Sequence, residues 1–353
     1  MSATSALASG KPVPSARKPY IGGQAVLEGV MMRAPGGLSV AVRRPDGTIA
    51  LREGPHRGLA GRMPLFRLVG LRGVASLVES LKLGFGALKF SADQQMTEEE
   101  RASDTGSGAA SMWLSTLFAL ALFIALPQGL AGGLGKLFGI HWGLTDASFH
   151  FVIGGFKLLI FLAYLLAIRR VPEIRRVFQY HGAEHKTIHA YEVELPLTVE
   201  NVRIQSTLHP RCGTTFLVMV VVVSIVAGAI AAPLLLPNAA GVLGQVSILA
   251  LRVALLPLIA ALSFELQRLS ARFFTRGPLR IFLWPGFLFQ KITTAEPDDA
   301  QMEIAITALK AAEWRDLQAD SVSADDQPLV FPSFEGFVDA LPELRGAALP
   351  EST

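Results

Sequence analysis

The chain has 353 residues, of which 51% are hydrophobic and 17% are charged, and its mean hydropathy of +0.42 is typical of a membrane protein. A net charge of only +3 gives no reason to expect nucleic acid as a partner. The single cysteine excludes an internal disulfide and fits a reducing compartment.

The N-terminal part of the chain is polar and predicts a small cytoplasmic region. Residues 1–19 lack an apolar segment, so they predict a disordered tail and no cleavable signal peptide. Within residues 20–90, two β-rich runs flank Asp46-Gly47, a pair typical of a β-hairpin turn. Upstream, Gly22 to Arg33 predicts another strand with bends at its glycines.

An amphipathic helix is predicted next, from about Leu68 to Phe90. Leu71, Val74 and Val78 begin an apolar stripe at helical spacing. The stripe fits a helix that lies on a membrane surface, and it fits equally well one that packs on the polar region. Residues 91–110 then predict an acidic linker.

Four segments of a membrane domain, residues 111–292, have the roughly 20 apolar residues needed to cross a bilayer. They are Met112 to Leu134, Phe149 to Ile168, Thr214 to Leu236 and Leu243 to Phe264. Arg252 lies in the fourth segment, where a charge is costly and should face other helices, water or a partner such as Glu265. Alternatively, the helix begins later or the arginine snorkels to the interface.

The distribution of basic residues predicts the orientation of these segments. The His-rich loop, residues 169–212, carries seven Lys or Arg residues, and four arginines follow the fourth segment. The two shorter links carry almost no positive charge. Because cytoplasmic loops are enriched in Lys and Arg, we expect this loop and both termini to be cytoplasmic in a bacterial inner membrane.

The C-terminal part begins with an aromatic segment, Leu279 to Phe289, which is too short to span and predicts an interfacial or re-entrant element. A C-terminal helix is predicted at residues 293–318, with Asp298 or Asp299 as its cap. Residues 319–353 predict a mostly disordered tail in which Phe331, Phe334 and Phe337 could form a docking element.

A candidate metal site lies in the cytoplasmic loop. His181 and His185 are four residues apart, so on a helix they share one face and can bind one ion. Glu184 precedes the second histidine and could act as a general base on water. The H-x-x-E-H order is that of the inverzincin metalloproteases. Alternatively, the histidines contact lipid phosphates, or Glu184 pairs with an arginine.

A third ligand must come from outside this motif. Glu192 would lie about 16 Å from His181 along a straight helix, which is too far for one ion. His209 and Cys212 lie just before the third segment and are the natural candidates, while a His185–His189 pair is a weaker one. Histidine with cysteine predicts zinc, although Cys212 could instead be a small packing residue.

Four motifs in the same order resemble the YqhQ-like family of bacterial multi-pass membrane proteins of unknown function, which are often labelled metal-dependent enzymes. The resemblance covers about Tyr20 to Leu317. The motifs are Gly22 to Arg33, Tyr180 to Thr187, His209 to Thr214, and Thr293 to Asp299. The resemblance implies a membrane protein, and the metal label of the family rests largely on the same His, Glu and Cys residues.

Three functions remain open at this stage. The first is a zinc-dependent hydrolase at the cytoplasmic membrane face, most plausibly a peptidase, whose substrate is a membrane protein or a peptide. The second is an adaptor or assembly factor with a structural metal, favoured if His181, His185, His209 and Cys212 form a closed shell. The third is a transporter, disfavoured by only four spans unless the chain forms a homo-oligomer.

Overall fold

The computed structural model describes residues 19–56, 58–59, 63–68, 70–97, 108–273, 284–317 and 327–346. Residues 1–18 of the predicted tail and residues 98–107 of the predicted acidic linker lie outside the described residues. The first part of that linker is helical, because the helix that begins at Leu71 continues to Gln95. The prediction of a mainly helical chain with an N-terminal β-region is confirmed.

Five antiparallel strands form one sheet in the order β1-β2-β3-β4-β5. The strands are β1 (Gly22–Val26), β2 (Gly29–Arg33), β3 (Gly37–Arg43), β4 (Ile49–Pro55) and β5 (Leu329–Phe331). The predicted hairpin around Asp46-Gly47 is present as β3 and β4. The predicted single strand at Gly22 to Arg33 is instead two strands, joined by a turn in which Glu28 has φ 49°.

The helices follow in chain order. They are α1 (Leu71–Gln95), α2 (Gly108–Leu120), α3 (Leu126–Phe138), α4 (Ala147–Ile168), α5 (Pro172–Glu192), α6 (Val199–Arg203), α7 (Gly213–Leu235), α8 (Gly241–Ala254), α9 (Leu256–Phe273), α10 (Trp284–Thr293), α11 (Asp299–Leu317) and α12 (Phe334–Gly346). A π-helical turn, Ala121–Ala125, joins α2 to α3 just before Pro127, which has no N–H to donate.

Three helical stretches are long and apolar enough to cross a membrane: Trp113–Phe138, Ala147–Ile168 and Gly213–Leu235. The predicted fourth span is broken, because α8 and α9 meet at a 47° bend. Pro257 explains the break, since it removes one N–H from the helical ladder at the start of α9. The described part of the chain therefore offers three spans, or four if the bent pair is one.

Helix α11 is the centre of the polar half. It packs against β2 and β3 on one side and against α5 on the other, and Ile304, Ile306 and Leu309 are fully buried there. The opposite face of the sheet is covered by α1 through Ala87 and Phe90. This three-layer arrangement fixes α5, the helix that carries the H-x-x-E-H motif.

The predicted amphipathic helix, α1, uses its small residues for packing. Its buried positions include Gly73, Ala75 and Gly84. The large apolar stripe that the sequence predicted stays accessible, with Val78 and Phe85 53% and 56% exposed. Packing onto the sheet and an outward apolar face therefore coexist on the same helix.

The C-terminal region differs from the prediction of a mostly disordered tail. Residues 329–331 pair with β4 as β5, and α12 follows at once. Phe337 is completely buried, and its ring meets that of Phe331 edge-on at 5.4 Å. Two of the three phenylalanines proposed as a docking element thus anchor this segment to its own sheet.

Candidate metal centre

Helix α5 supplies the frame of the site. It begins at Pro172, a favoured first residue of a helix, and residues Tyr180 to Tyr191 are almost continuously buried. Gly182 lets the helix approach the segment before α11, because a Cβ there would lie 2.1 Å from the Ala295 carbonyl oxygen. The helix therefore places His181, His185 and His189 in a row on one face.

The first ligand group consists of His181, His185 and Cys212. One donor atom from each side chain lies within 4.8 Å of the other two. Cys212 is the N-cap of α7, where its sulfur accepts a hydrogen bond from the Thr214 N–H at 3.4 Å. The loop histidines and the beginning of the apolar helix α7 are thereby brought together.

Both histidines of this group are oriented by backbone carbonyls. His181 donates its Nδ1–H to the Thr293 carbonyl at 2.9 Å, and His185 donates its Nδ1–H to the Thr207 carbonyl at 2.5 Å. Each Nε2 is then left as the acceptor, and that of His181 is 3.2 Å from the Cys212 sulfur. Such carbonyl partners are the usual way in which proteins fix the tautomer of a metal-binding histidine.

The electrostatics of the group favour the deprotonated donors that metals require. Burial lowers the pKa of His185 below its usual value, which keeps the imidazole neutral. Burial alone would raise the pKa of the Cys212 thiol, but the adjacent His185 side chain and the contacts with Thr214 outweigh it, and the pKa is lowered. A neutral imidazole and a thiolate are the forms that bind zinc.

Glu184 lies beside this group and is not among its ligands. The side chain packs on the edge strand β1, where a Cβ on Gly23 would lie 2.8 Å from its Cγ. Burial raises the pKa of Glu184 to about 8; the neighbouring His181 opposes this shift and Cys212 adds to it, while the Ala25 N–H donates a hydrogen bond to the carboxylate. A pKa this close to neutrality lets a carboxyl both take up and release a proton.

A second group forms one turn further along α5. It contains His189, Glu192 and His209, with donor atoms again within 4.8 Å of one another. His189 donates its Nε2–H to the Leu208 carbonyl at 2.9 Å, and His209 Nε2 lies 3.5 Å from a Glu192 oxygen. Burial lowers the pKa of His209 to about 4. Glu192 also forms an ion pair with Arg211.

The structure therefore divides the four ligands suggested by the sequence. His181, His185 and Cys212 come together, whereas His209 joins His189 and Glu192, and the ring centroids of His209 and His185 are 5.6 Å apart. The reason is a tight turn, since the Cys212 N–H bonds to the His209 carbonyl at 3.3 Å. This turn sends the two side chains towards different parts of α5.

Gln290 on α10 holds this turn and was missed by sequence reasoning. Its side-chain oxygen accepts the His209 N–H and its amide donates to the His209 carbonyl, both at 2.8 Å. Lys186 was missed as well; it is 3% exposed and its ammonium contacts Glu296 and the Arg203 carbonyl. Neither residue has a metal-ligand pattern around it, so only the three-dimensional contacts reveal them.

Comparison with known proteins agrees with the motifs. A family model described as a protein of unknown function, DUF1385, matches residues 68–314. The chain belongs to this family. It is also 35% identical over 301 residues, or 82% of this chain and 90% of the relative, to the uncharacterized protein YqhQ of Bacillus subtilis strain 168. No solved structure matches the chain. Both ligand groups lie within the region that the family model covers.

Proposed function

We propose that this protein is a zinc-dependent hydrolase at the cytoplasmic face of a bacterial inner membrane, acting on a membrane protein or a peptide. The observation that carries the proposal is the convergence of His181, His185 and Cys212 within 4.8 Å. Imidazole nitrogen and thiolate sulfur are the ligands that zinc prefers. The carbonyl contacts of both histidines fit the same ion.

The number of ligands supports a catalytic rather than a structural site. Structural zinc is usually held by four protein side chains, whereas catalytic zinc has three and keeps one position for water or substrate. His209, the fourth ligand that a closed shell would need, belongs to the other group. This separation favours the hydrolase over an adaptor with a structural metal.

The residues of the chain have distinct roles in this proposal. Zinc bound here would act as a Lewis acid and lower the pKa of water. Glu184 accepts the proton from the attacking water and passes it to the leaving group. The Ala25 N–H orients this carboxylate, and the close approach of Gly23 fixes its position. The buried surroundings of Glu184 strengthen both interactions.

The location at the membrane follows from the apolar helices and the charges between them. Cys212 immediately precedes α7, and the segment from α4 to α7 carries the excess of Arg and Lys. Under the positive-inside rule this segment and both termini are cytoplasmic. The ligand group then lies at the boundary between the bilayer and the cytoplasm.

Replacing Glu184 tests the hydrolase. Glu184→Gln preserves shape and removes the basic group, so we expect normal protein level and zinc content with a roughly 100- to 10,000-fold loss of rate, read as failed complementation of a deletion strain. Glu173→Gln, an exposed residue of the same helix, is the control and should complement fully. Full complementation by Glu184→Gln would refute the role of Glu184 as a general base. The alternative function, an adaptor with a structural metal, would then be favoured.

The orientation has its own test in intact cells. In a Cys212→Ser background, a cysteine at Thr198 should be protected from an impermeant maleimide, because it lies in the cytoplasmic segment. A cysteine at Val242, which is 83% exposed at the start of α8, should react from outside. If only the cysteine at position 198 reacted from outside, the orientation would be the reverse of the proposed one, and the ligand group would lie at the outer face.

A further inference from the structure

Two cations, the buried Arg252 and the partly buried Lys157, lie among the apolar helices and outside the ligand group. Arg252 on α8 is 7% exposed, and Lys157 lies near the middle of α4. The carboxylate predicted as a partner for Arg252 is engaged elsewhere, since Glu265 accepts a hydrogen bond from Arg72 Nε at 2.6 Å. Arg252 instead contacts His150, whose Nδ1 accepts from the guanidinium at 3.0 Å.

A cavity of about 30 Å³ lies between these two cations. Its walls include Lys157, Ser224, Gly228 and Arg252. Lys157 donates to the Ser224 hydroxyl at 3.1 Å, and Ser224 is at the middle of α7. A water molecule needs about 10–15 Å³ measured in this way, so the space admits one small ion or two waters.

The positive charge around this cavity has no neutralising partner within the described residues. No carboxylate there forms an ion pair with Arg252 or Lys157, and the buried Nη1 of Arg252 makes no hydrogen bond. Asp146, at the N-cap of α4, accepts the Gly143 N–H at 2.7 Å. Unpaired charge in apolar surroundings is costly and marks sites that bind a counter-charge.

The bend between α8 and α9 also borders this cavity, because Leu255 and Leu256 line it. Helical hydrogen bonds continue through the bend, from the Leu255 N–H to the Leu251 carbonyl and from the Ile259 N–H to the Leu255 carbonyl. The negative end of α8 and the positive end of α9 therefore meet there, and the positive charge at the cavity comes from Arg252 and Lys157.

We propose that this cavity binds a small inorganic anion such as chloride, held between Arg252 and Lys157. The cavity volume of about 30 Å³ is too small for a phosphate headgroup. Gly228, which lines the cavity, lets α7 approach His150, because a Cβ there would lie 3.1 Å from His150 Nδ1. The anion neutralises the buried charge and stabilises the packing of α4, α7 and α8.

Thermal unfolding of the purified full-length protein in nanodiscs tests the proposal. Chloride is titrated against gluconate, which is too large for the cavity, at constant ionic strength. Because a ligand of the folded state stabilises it by mass action, we expect Tm to rise by roughly 2–5 °C at saturation. Equal Tm values in the two salts would overturn the proposal, and would also be the result if a carboxylate from a partner helix fills the site.

A tethered anion sharpens this test. Ser224→Asp places a carboxylate next to Lys157, so the variant should unfold at the same temperature with and without chloride. Ser224→Asn has nearly the same size without the charge and should keep the chloride effect. Arg169 is exposed, so Arg169→Gln is a control for chloride bound at the surface. This variant should also keep the effect of chloride on Tm. Full chloride dependence in Ser224→Asp would refute the site; if that variant does not fold, Lys157→Gln must show a reduced effect. Neither outcome bears on the zinc proposal.

Discussion

The two histidine groups on α5 have similar side chains and differ in their charged surroundings. In the first, the contacts of Cys212 with His185 and Thr214 lower the pKa of its thiol despite its burial. In the second, the only anionic ligand, Glu192, is neutralised by Arg211. An ion bound there would have to displace the arginine. The comparison shows that ligand type and spacing do not suffice to choose a metal site, because the partner of the anionic ligand also decides.

The second group then has a structural interpretation. The ion pair of Arg211 with Glu192 and the contact of His209 with the same carboxylate connect the end of α5 to the turn before α7. The Arg211 guanidinium also lies over the Tyr20 ring, 4.4 Å from its centroid. These contacts hold the turn that presents Cys212 to the first group.

The largest expected difference between the groups is in bound metal. His185→Ala removes a ligand of the first group, so purified protein should lose its zinc almost entirely. His189→Ala removes the equivalent residue of the second group, one turn away, and should retain one zinc per chain. Metal analysis by mass spectrometry measures both. Loss of zinc in His189→Ala with retention in His185→Ala would reverse the assignment.

The glycines around the first group offer the next test. A Cβ at Gly182 would collide with the backbone at Ala295, two residues after Thr293, whose carbonyl orients His181. We expect Gly182→Ala to cost about 1–3 kcal/mol of stability and to weaken zinc binding. Gly213→Ala adds the same methyl group where no atom lies within 4 Å and should preserve both Tm and zinc. Equal Tm values for the two variants would contradict the close packing.

Much of the fold was predictable because its signals are local. The apolar spans follow from segment length and hydropathy, and the β3–β4 hairpin follows from Asp46-Gly47. Pro257 carried a signal for the break between α8 and α9 that the hydropathy pattern concealed. The pairing of β5 with β4 was not predictable, because it joins strands that are far apart in the sequence. The composition of a segment therefore predicts disorder correctly only when no distant part of the chain pairs with that segment.

Of the candidate site, too, only the parts with local sequence signals were predictable. The spacing of His181 and His185 on one helix is local, and so is the proximity of Cys212 to the start of α7. The placement of His209 depends on Gln290, which is 81 residues away and sets the turn through two hydrogen bonds. Motif spacing therefore found a His–His–Cys set but could not divide the ligands between two groups.

The position of Glu184 can be tested without altering its charge. Gly23→Ala places a methyl group against Glu184 and the Met32 sulfur, each 2.8 Å away, so the carboxylate must move. Because small displacements of a reacting group lower rates strongly, we expect a roughly 10- to 100-fold loss of complementing activity with zinc retained. Gly22→Ala, whose nearest contact is the Tyr20 ring at 3.9 Å, should be close to neutral. If the two substitutions lowered complementing activity equally, the position of Glu184 would not matter for function.

The smallest expected effect concerns the second group itself. If Arg211 is what prevents ion binding there, Arg211→Gln frees Glu192 to act as a ligand together with His189 and His209. Zinc titration should then show a second zinc ion bound per chain, more weakly than the first. The variant should bind this second ion roughly 10- to 100-fold more tightly than the unaltered protein does. Arg203→Gln breaks an exposed ion pair with Asp299 and should add no equivalent. A second equivalent already present in the unaltered protein would show that the arginine does not discriminate between the groups, and the distinction would then rest on Cys212 alone.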